Sequence, residues 1–155
     1  MSELANIIGE LKIIHRSGDA WHGPALRDVL TGLTPDAAAR RLPNAHSIWE
    51  IVLHIAGWEE VFRRRLEGLP AISPEEGDFP HVTEVTGEAW EQALARLENA
   101  HERLLEVVSR LSDSNLEEKV AGKDYTIGFM LHGLIRHHVY HAGQISLLRK
   151  IVAGS

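Results

Sequence analysis

The chain has 155 residues, 44% hydrophobic and 25% charged, with sixteen basic against twenty-two acidic side chains and a formal net charge of −6. That length and balance fit one globular domain over residues 1–155 and exclude a disordered chain, a collagen-like repeat or a disulfide scaffold. Cysteine is absent, which excludes a thiolate nucleophile, an iron–sulfur cluster and a Cys-ligated zinc. Net acidity, relieved only at Arg40–Arg41 and Arg63–Arg64–Arg65, sets the expectation of no nucleic-acid partner. No apolar run approaches the ~20 residues that span a bilayer. The N-terminal MSELANIIGELKIIHRSGD lacks a basic segment leading into an apolar one. A cytoplasmic protein without membrane association is expected.

Read in chain order, the hydrophobic period is helical almost throughout. Residues 3–17 carry Leu4, Ile7, Ile8, Leu11 and Ile14 on one face. A break at Gly23–Pro24 precedes a short helix to about Leu30, and Thr34–Pro35 is a cap followed by proline in the first turn of another. Ser47 and Glu50 have capping-box spacing at the start of a long helix to Leu66, with Gly68 beyond its end. Residues 68–85 hold three prolines and two glycines and form a long loop of the kind that often carries function. Thr86 caps a third long helix to about Leu111; Ser112–Asp124 is turn-rich; Thr126 caps a final helix to about Val152. The fold expected is all-α, a four-helix bundle with short accessory helices.

Ten histidines remain to be placed. His15, His46, His81 and His101 lie near helix ends, in loops or on polar stretches and read as solvated. Pairs such as Glu59–Glu60 likewise read as solvated faces. On the last helix His137 and His141 sit one turn apart and differ by about 40° around the axis. Their stripe also carries Met130, Leu134, Gln144 and Leu148. His138 with His141 is a competing pair, but His138 lies about 100° from His137, towards the flank. His54 shares a stripe with Ile51, Trp58 and Val61 on the second long helix. A lone histidine on such a face is usually a hydrogen-bonded core residue, yet facing bundle helices are where metal sites assemble. His54, His137 and His141 would supply three imidazoles and leave one coordination position open, as in catalytic rather than structural sites. A di-iron carboxylate site needs two Glu-x-x-His motifs, and only Glu98-x-x-His101 fits.

Three segments carry a resemblance: WHGPALRDVLTGLTPDAAARR, HSIWEIVLHIAGWEEVFRRRLEG and MLHGLIRHHVYHAGQISLLRK. Through them nearly the whole chain resembles the DinB-like (DinB/YfiT-type) four-helix-bundle metalloenzymes. The resemblance implies one metal-binding histidine from the second long helix and two from the last, which fall on His54, His137 and His141. It further implies one divalent ion (zinc, nickel or iron), a homodimer, and a small-molecule substrate. The relatives of known activity are transferases or isomerases that use low-molecular-weight thiols such as bacillithiol or mycothiol. The expected function is therefore that of a metal-dependent enzyme of the thiol-dependent transferase/isomerase type acting on a small molecule. A metal-dependent hydrolase and a non-catalytic, stress-related metal-binding protein are the alternatives. Trp21 and His22 either line the substrate pocket or form a packing turn. Trp58 is either core or pocket wall, Tyr140 flanks the histidine pair, and Gln144 either orients a bound group or packs between helices.

Overall fold

In the computed structural model, residues 1–16 and 20–153 are described. They form α1 (Glu3–His15), α2 (Leu26–Leu30), α3 (Pro35–Ala39), α4 (Ile48–Leu66), α5 (Gly87–Ser109), a 3₁₀ turn (Asp113–Glu117) and α6 (Ile127–Val152). No strand occurs among these residues beyond one isolated bridge between Lys119 and Thr126. The architecture is the expected all-helical one.

Helices begin where a side chain can satisfy free backbone N–H groups. Thr34, Thr86 and Thr126 accept from the backbone N–H three residues on, at 3.2, 3.1 and 3.2 Å. Ser47 and Glu50 close a full capping box at 3.1 and 2.9 Å. At the end of α4, Gly68 adopts φ 73, the left-handed state that glycine enters at little cost. Leu69 N–H then reaches Arg64 O at 2.9 Å and Gly68 N–H reaches Arg65 O at 3.1 Å, a Schellman ending. Two boundaries move inward from the sequence reading. α1 stops at His15, and the second helix starts at Leu26 instead of Pro24, because the extended residue Ala25 stands as its N-cap.

The four long helices make a ring in which α1 packs on α5 and α6, and α4 packs on the same two. α1 and α4 therefore face each other diagonally, as do α5 and α6. The core along this ring divides in two. One apolar cluster joins α2 and α3 to the N-terminal halves of α4 and α5 and to Ala142 and Ile145 of α6. The other joins α1 to the C-terminal part of α5 and the N-terminal half of α6. Between them, at the same level on all four long helices, lie His15, Glu59, His101 and His138.

The connection 67–86 folds back along α4. Gly57 has no Cβ, and a Cβ there would meet Pro74 at 3.0 Å, so glycine permits this close approach. Arg65 clamps the same segment, donating to Ala71 O at 2.9 Å and Ile72 O at 2.7 Å while also reaching Tyr125 Oη at 3.0 Å. The loop is thereby carried to the N-terminal half of α4. No helix among the described residues is long and apolar enough to cross a membrane.

Candidate metal centre

His54 on α4 and His137 and His141 on α6 meet beside the folded-back loop. The Nε2 atoms of His54 and His141 lie 2.9 and 3.1 Å from Nε2 of His137. The other nitrogens of His54 and His141 point outward to oxygen. His54 Nδ1 lies 2.7 Å from the Asp78 backbone carbonyl, and His141 Nδ1 lies 2.6 Å from Gln144 Oε1. Both oxygens only accept, so each Nδ1 carries a proton and, in a neutral ring, each Nε2 presents a bare lone pair. His137 can donate one Nε2 proton at most, which cannot satisfy both neighbours with linear bonds. Its Nδ1 is buried without a partner.

Electrostatics favour neutral rings. Burial, reinforced by the neighbouring histidines His141, His138 and His54, lowers the His137 pKa to about 3. Burial lowers His141 to about 4, against the opposing hydrogen bond to Gln144. Three imidazoles whose Nε2 atoms converge fit the donor set of a divalent transition metal, whose Zn–N distances are about 2.0–2.1 Å. One nitrogen from each ring lies within 4.8 Å of the others, so the group could hold an ion.

The loop supplies residues that the sequence did not single out. Phe79 stacks on His54 with centroids 4.0 Å apart and on His46 at 3.7 Å, both nearly parallel. Asp78 holds His54 through its carbonyl and accepts from the Trp58 indole N–H at 2.7 Å. His81 and Arg41 approach the buried Glu50 at 2.9 and 3.4 Å, tying the loop to the start of α4. Burial alone would raise the Glu50 carboxyl, but the Ser47 backbone bond, His81 and Arg41 hold it below its usual range. Sequence offered one signal for this, the length of the 68–85 connection.

The residues expected to line a pocket scatter. Trp58 stands edge-on to His54 at 6.5 Å and Tyr140 edge-on to His141 at 5.1 Å, with Tyr140 64% exposed. Gln144 touches His141 directly. Trp21 is 94% exposed with φ 63, and no described contact joins it or His22 to the triad.

Three other placements correct the sequence reading. His15 and His101 are fully buried instead of solvated, and Glu59 is buried instead of lying on a solvated face. His138 is also fully buried and faces the bundle axis, not the flank. Each occupies an apolar stripe: Val52, Ile55 and Ala56 lead to Glu59; Leu97 and Leu104 bracket His101; Leu134 and Ile145 bracket His138; Leu11 precedes His15.

The DinB superfamily profile matches residues 20–145. The chain belongs to the DinB superfamily. No curated protein matches it in sequence. Among solved structures, the colibactin self-resistance protein ClbS in complex with a double-stranded DNA is similar to this DinB chain. It is 21% identical, with a TM-score of 0.67 over 97% of each chain. That likeness concerns the fold, and it corrects one expectation. A DinB-type bundle has been captured on duplex DNA, so net acidity does not exclude a nucleic-acid partner. Net charge is a sum over the whole surface, whereas phosphate contact depends on local arrangement.

Proposed function

We propose that this DinB protein is a metal-dependent enzyme whose divalent ion is held by His54, His137 and His141. Its reaction is the transfer of a low-molecular-weight thiol to a small electrophile. The observation that carries this reading is the convergence of three Nε2 atoms whose opposite nitrogens, on His54 and His141, are fixed by Asp78 O and Gln144 Oε1. Zinc, nickel and iron all accept such a donor set.

A bound ion supplies Lewis acidity, which lowers the pKa of a thiol or a water. The chain's own contribution is positional. Asp78 and Gln144 orient two of the rings, the kind of outer hydrogen bond that metal-binding histidines usually require. Phe79 packs one face of His54 and shields it from water. Trp58 and Tyr140 border the triad, and the exposed Tyr140 places that border at the surface. With three protein donors, a small molecule can occupy the remaining position. Since the chain has no cysteine, the sulfur must come from the cosubstrate.

The test is a screen of cellular thiols against epoxide, maleyl and chloro-aromatic electrophiles, comparing zinc-, nickel- and iron-loaded protein with metal-free protein. Metal-dependent consumption of thiol, lost in His141→Ala, is the expected result. Metal-dependent hydrolysis of esters or amides without thiol turnover would replace the transferase reading with a hydrolase. Absence of both would leave a binding protein. Duplex DNA belongs in the same series as a ligand, given the ClbS complex.

A further inference from the structure

The polar layer that splits the core is built from one side chain of each long helix: His15 at the end of α1, Glu59 on α4, His101 on α5 and His138 on α6. All four are 0–1% exposed. One ligand-type atom from each lies within 4.8 Å of the others. We propose that these four residues form a second metal site, closed and structural, that takes a divalent transition-metal ion of the zinc type.

Unsatisfied atoms carry the argument. His15 Nδ1, Glu59 Oε2, His101 Nε2 and His138 Nε2 are all buried with no hydrogen bond, one from each member. Buried polar atoms are rarely left this way, and one on each of four side chains that meet in the core calls for missing partners. The remaining atoms define the protons. His138 Nδ1 lies 3.2 Å from the Leu134 carbonyl, which only accepts, so its Nε2 is bare in the neutral ring. That nitrogen sits 3.0 Å from Glu59 Oε1 but not in hydrogen-bond alignment. A ring nitrogen and a carboxylate oxygen at this distance in a dry interior require a cation, either a proton on the nitrogen or a metal ion beside the two. His15 Nε2 lies 3.2 Å from Glu98 Oε1, the carboxylate–histidine pairing that commonly backs a metal-binding ring. His101 Nδ1 lies 2.7 Å from Glu59 Oε1.

Charge and accessibility agree. Burial by itself would raise the Glu59 carboxyl, and positive charge at His138 together with the His101 hydrogen bond lowers it to about 2; an anion in this core needs a cation beside it, which a metal ion supplies where His138 is neutral. His15 is pushed down to about 3 by burial and then by His101 and stays uncharged. Three imidazole nitrogens and one carboxylate oxygen match zinc's preference for four protein donors in structural sites, and binding would require the His15 and His101 rings, stacked at 3.7 Å and 4° from parallel, to turn towards the ion. With every position taken by protein, no substrate would bind there. An ion has a route inward, since His15 and Glu98 also line a cleft of about 430 Å³ with Arg27 and Trp90.

The test leaves the buried cluster intact. His54→Ala/His141→Ala protein, produced in zinc-supplemented medium and desalted, should retain about one zinc per chain where the parent protein carries about two. The same variant produced with cobalt(II) should show the visible absorption of a four-coordinate nitrogen–oxygen site. A folded double variant with under about a tenth of an equivalent of either metal would overturn the proposal and assign the charge balance of Glu59 to a protonated histidine. Glu59→Gln, which preserves shape, should fall to about one zinc in the otherwise unchanged chain. A Glu59→Gln protein that still binds two would equally overturn it. Because the first variant changes only the outer triad, failure of that triad to bind metal leaves the parent at one equivalent, not lost in the variant. The two readings therefore fail separately.

Discussion

Two histidine clusters share α4 and α6 and differ in almost everything else. His137 and His138 are neighbours in sequence, but about 100° of helical rotation sends one ring towards the loop and the other to the axis. Their ring centroids stay 6.4 Å apart. The outer cluster consists of three imidazole rings, two of them fastened by a backbone carbonyl and an amide, with a stacked phenyl ring beside them. The inner cluster is built around an anion with no exposure at all. On the proposed reading, removing a member from the first deletes a metal ligand; removing Glu59 from the second deletes the charge around which the layer is organised. Rotation about one helix axis thus separates a cluster beside the folded-back loop from one that belongs to the core.

The largest expected effect follows from that difference. Glu59→Ala should lower the stability of metal-free protein by about 3–5 kcal/mol, the usual result of removing one partner from a buried charged network. His141→Ala should cost no more than about 2 kcal/mol. Urea unfolding of both variants decides it, and a reversed order would mean that Glu59 does not organise the layer.

Acid should act on histidines of both clusters next, and on the inner carboxylate last. His15, His137 and His141 have folded pKa values of about 3, 3 and 4 against an ordinary 6.5. Each binds its proton more weakly folded than unfolded, so stability is full above pH 6.5 and declines as pH falls towards the folded values. For His15 alone the loss between pH 7 and pH 5 is about 2 kcal/mol. Glu59 acts lower: its stabilisation is present above pH 4.5 and disappears as pH falls through about 2. Thermal melts of metal-free protein from pH 7 to pH 3 should show the histidine slope first. His15→Asn should flatten it.

The helices were legible because their caps are local: Ser47, Thr86 and Thr126 announce starts that need no tertiary information. The outer triad was legible for a related reason, since the i,i+4 spacing of His137 and His141 survives in any helix. The inner layer was not. Its residues lie on apolar stripes that the sequence does display, but a single Glu or His on such a stripe acquires meaning only when four helices are brought to one level. Asp78 and Phe79 were hidden for a different reason. Their places depend on how Pro74 rests on Gly57 and how Arg65 holds Ala71 and Ile72, which no periodicity encodes.

Within the outer cluster, the two orienting oxygens are not equivalent. Gln144→Ala removes the only side-chain acceptor of His141 Nδ1 described here and should weaken metal binding about 10–100-fold, the typical cost of losing such a partner. Asp78→Ala keeps the backbone carbonyl that accepts from His54 and loses only the carboxylate 3.1 Å from Nδ1 and its bond to Trp58. Its effect should stay under about tenfold. Competition titration with a chromophoric chelator measures both. Equal losses would show that the Asp78 carboxylate, not the carbonyl, fixes the ring.

The smallest effect is expected at Tyr140. It is mostly exposed and meets His141 through a ring edge, with no hydrogen bond described between them. Tyr140→Phe keeps that ring contact and removes only the hydroxyl. Stability should shift by less than about 0.5 kcal/mol, as for exposed substitutions away from caps and buried networks. Zinc stoichiometry should not change, because neither cluster uses the phenol. The hydroxyl borders the proposed pocket, so the variant should alter thiol turnover while leaving metal content and unfolding midpoint in place. A loss of zinc in Tyr140→Phe would instead make the phenol part of the outer cluster, and the division between a bordering residue and a ligand-holding one would have to be redrawn there.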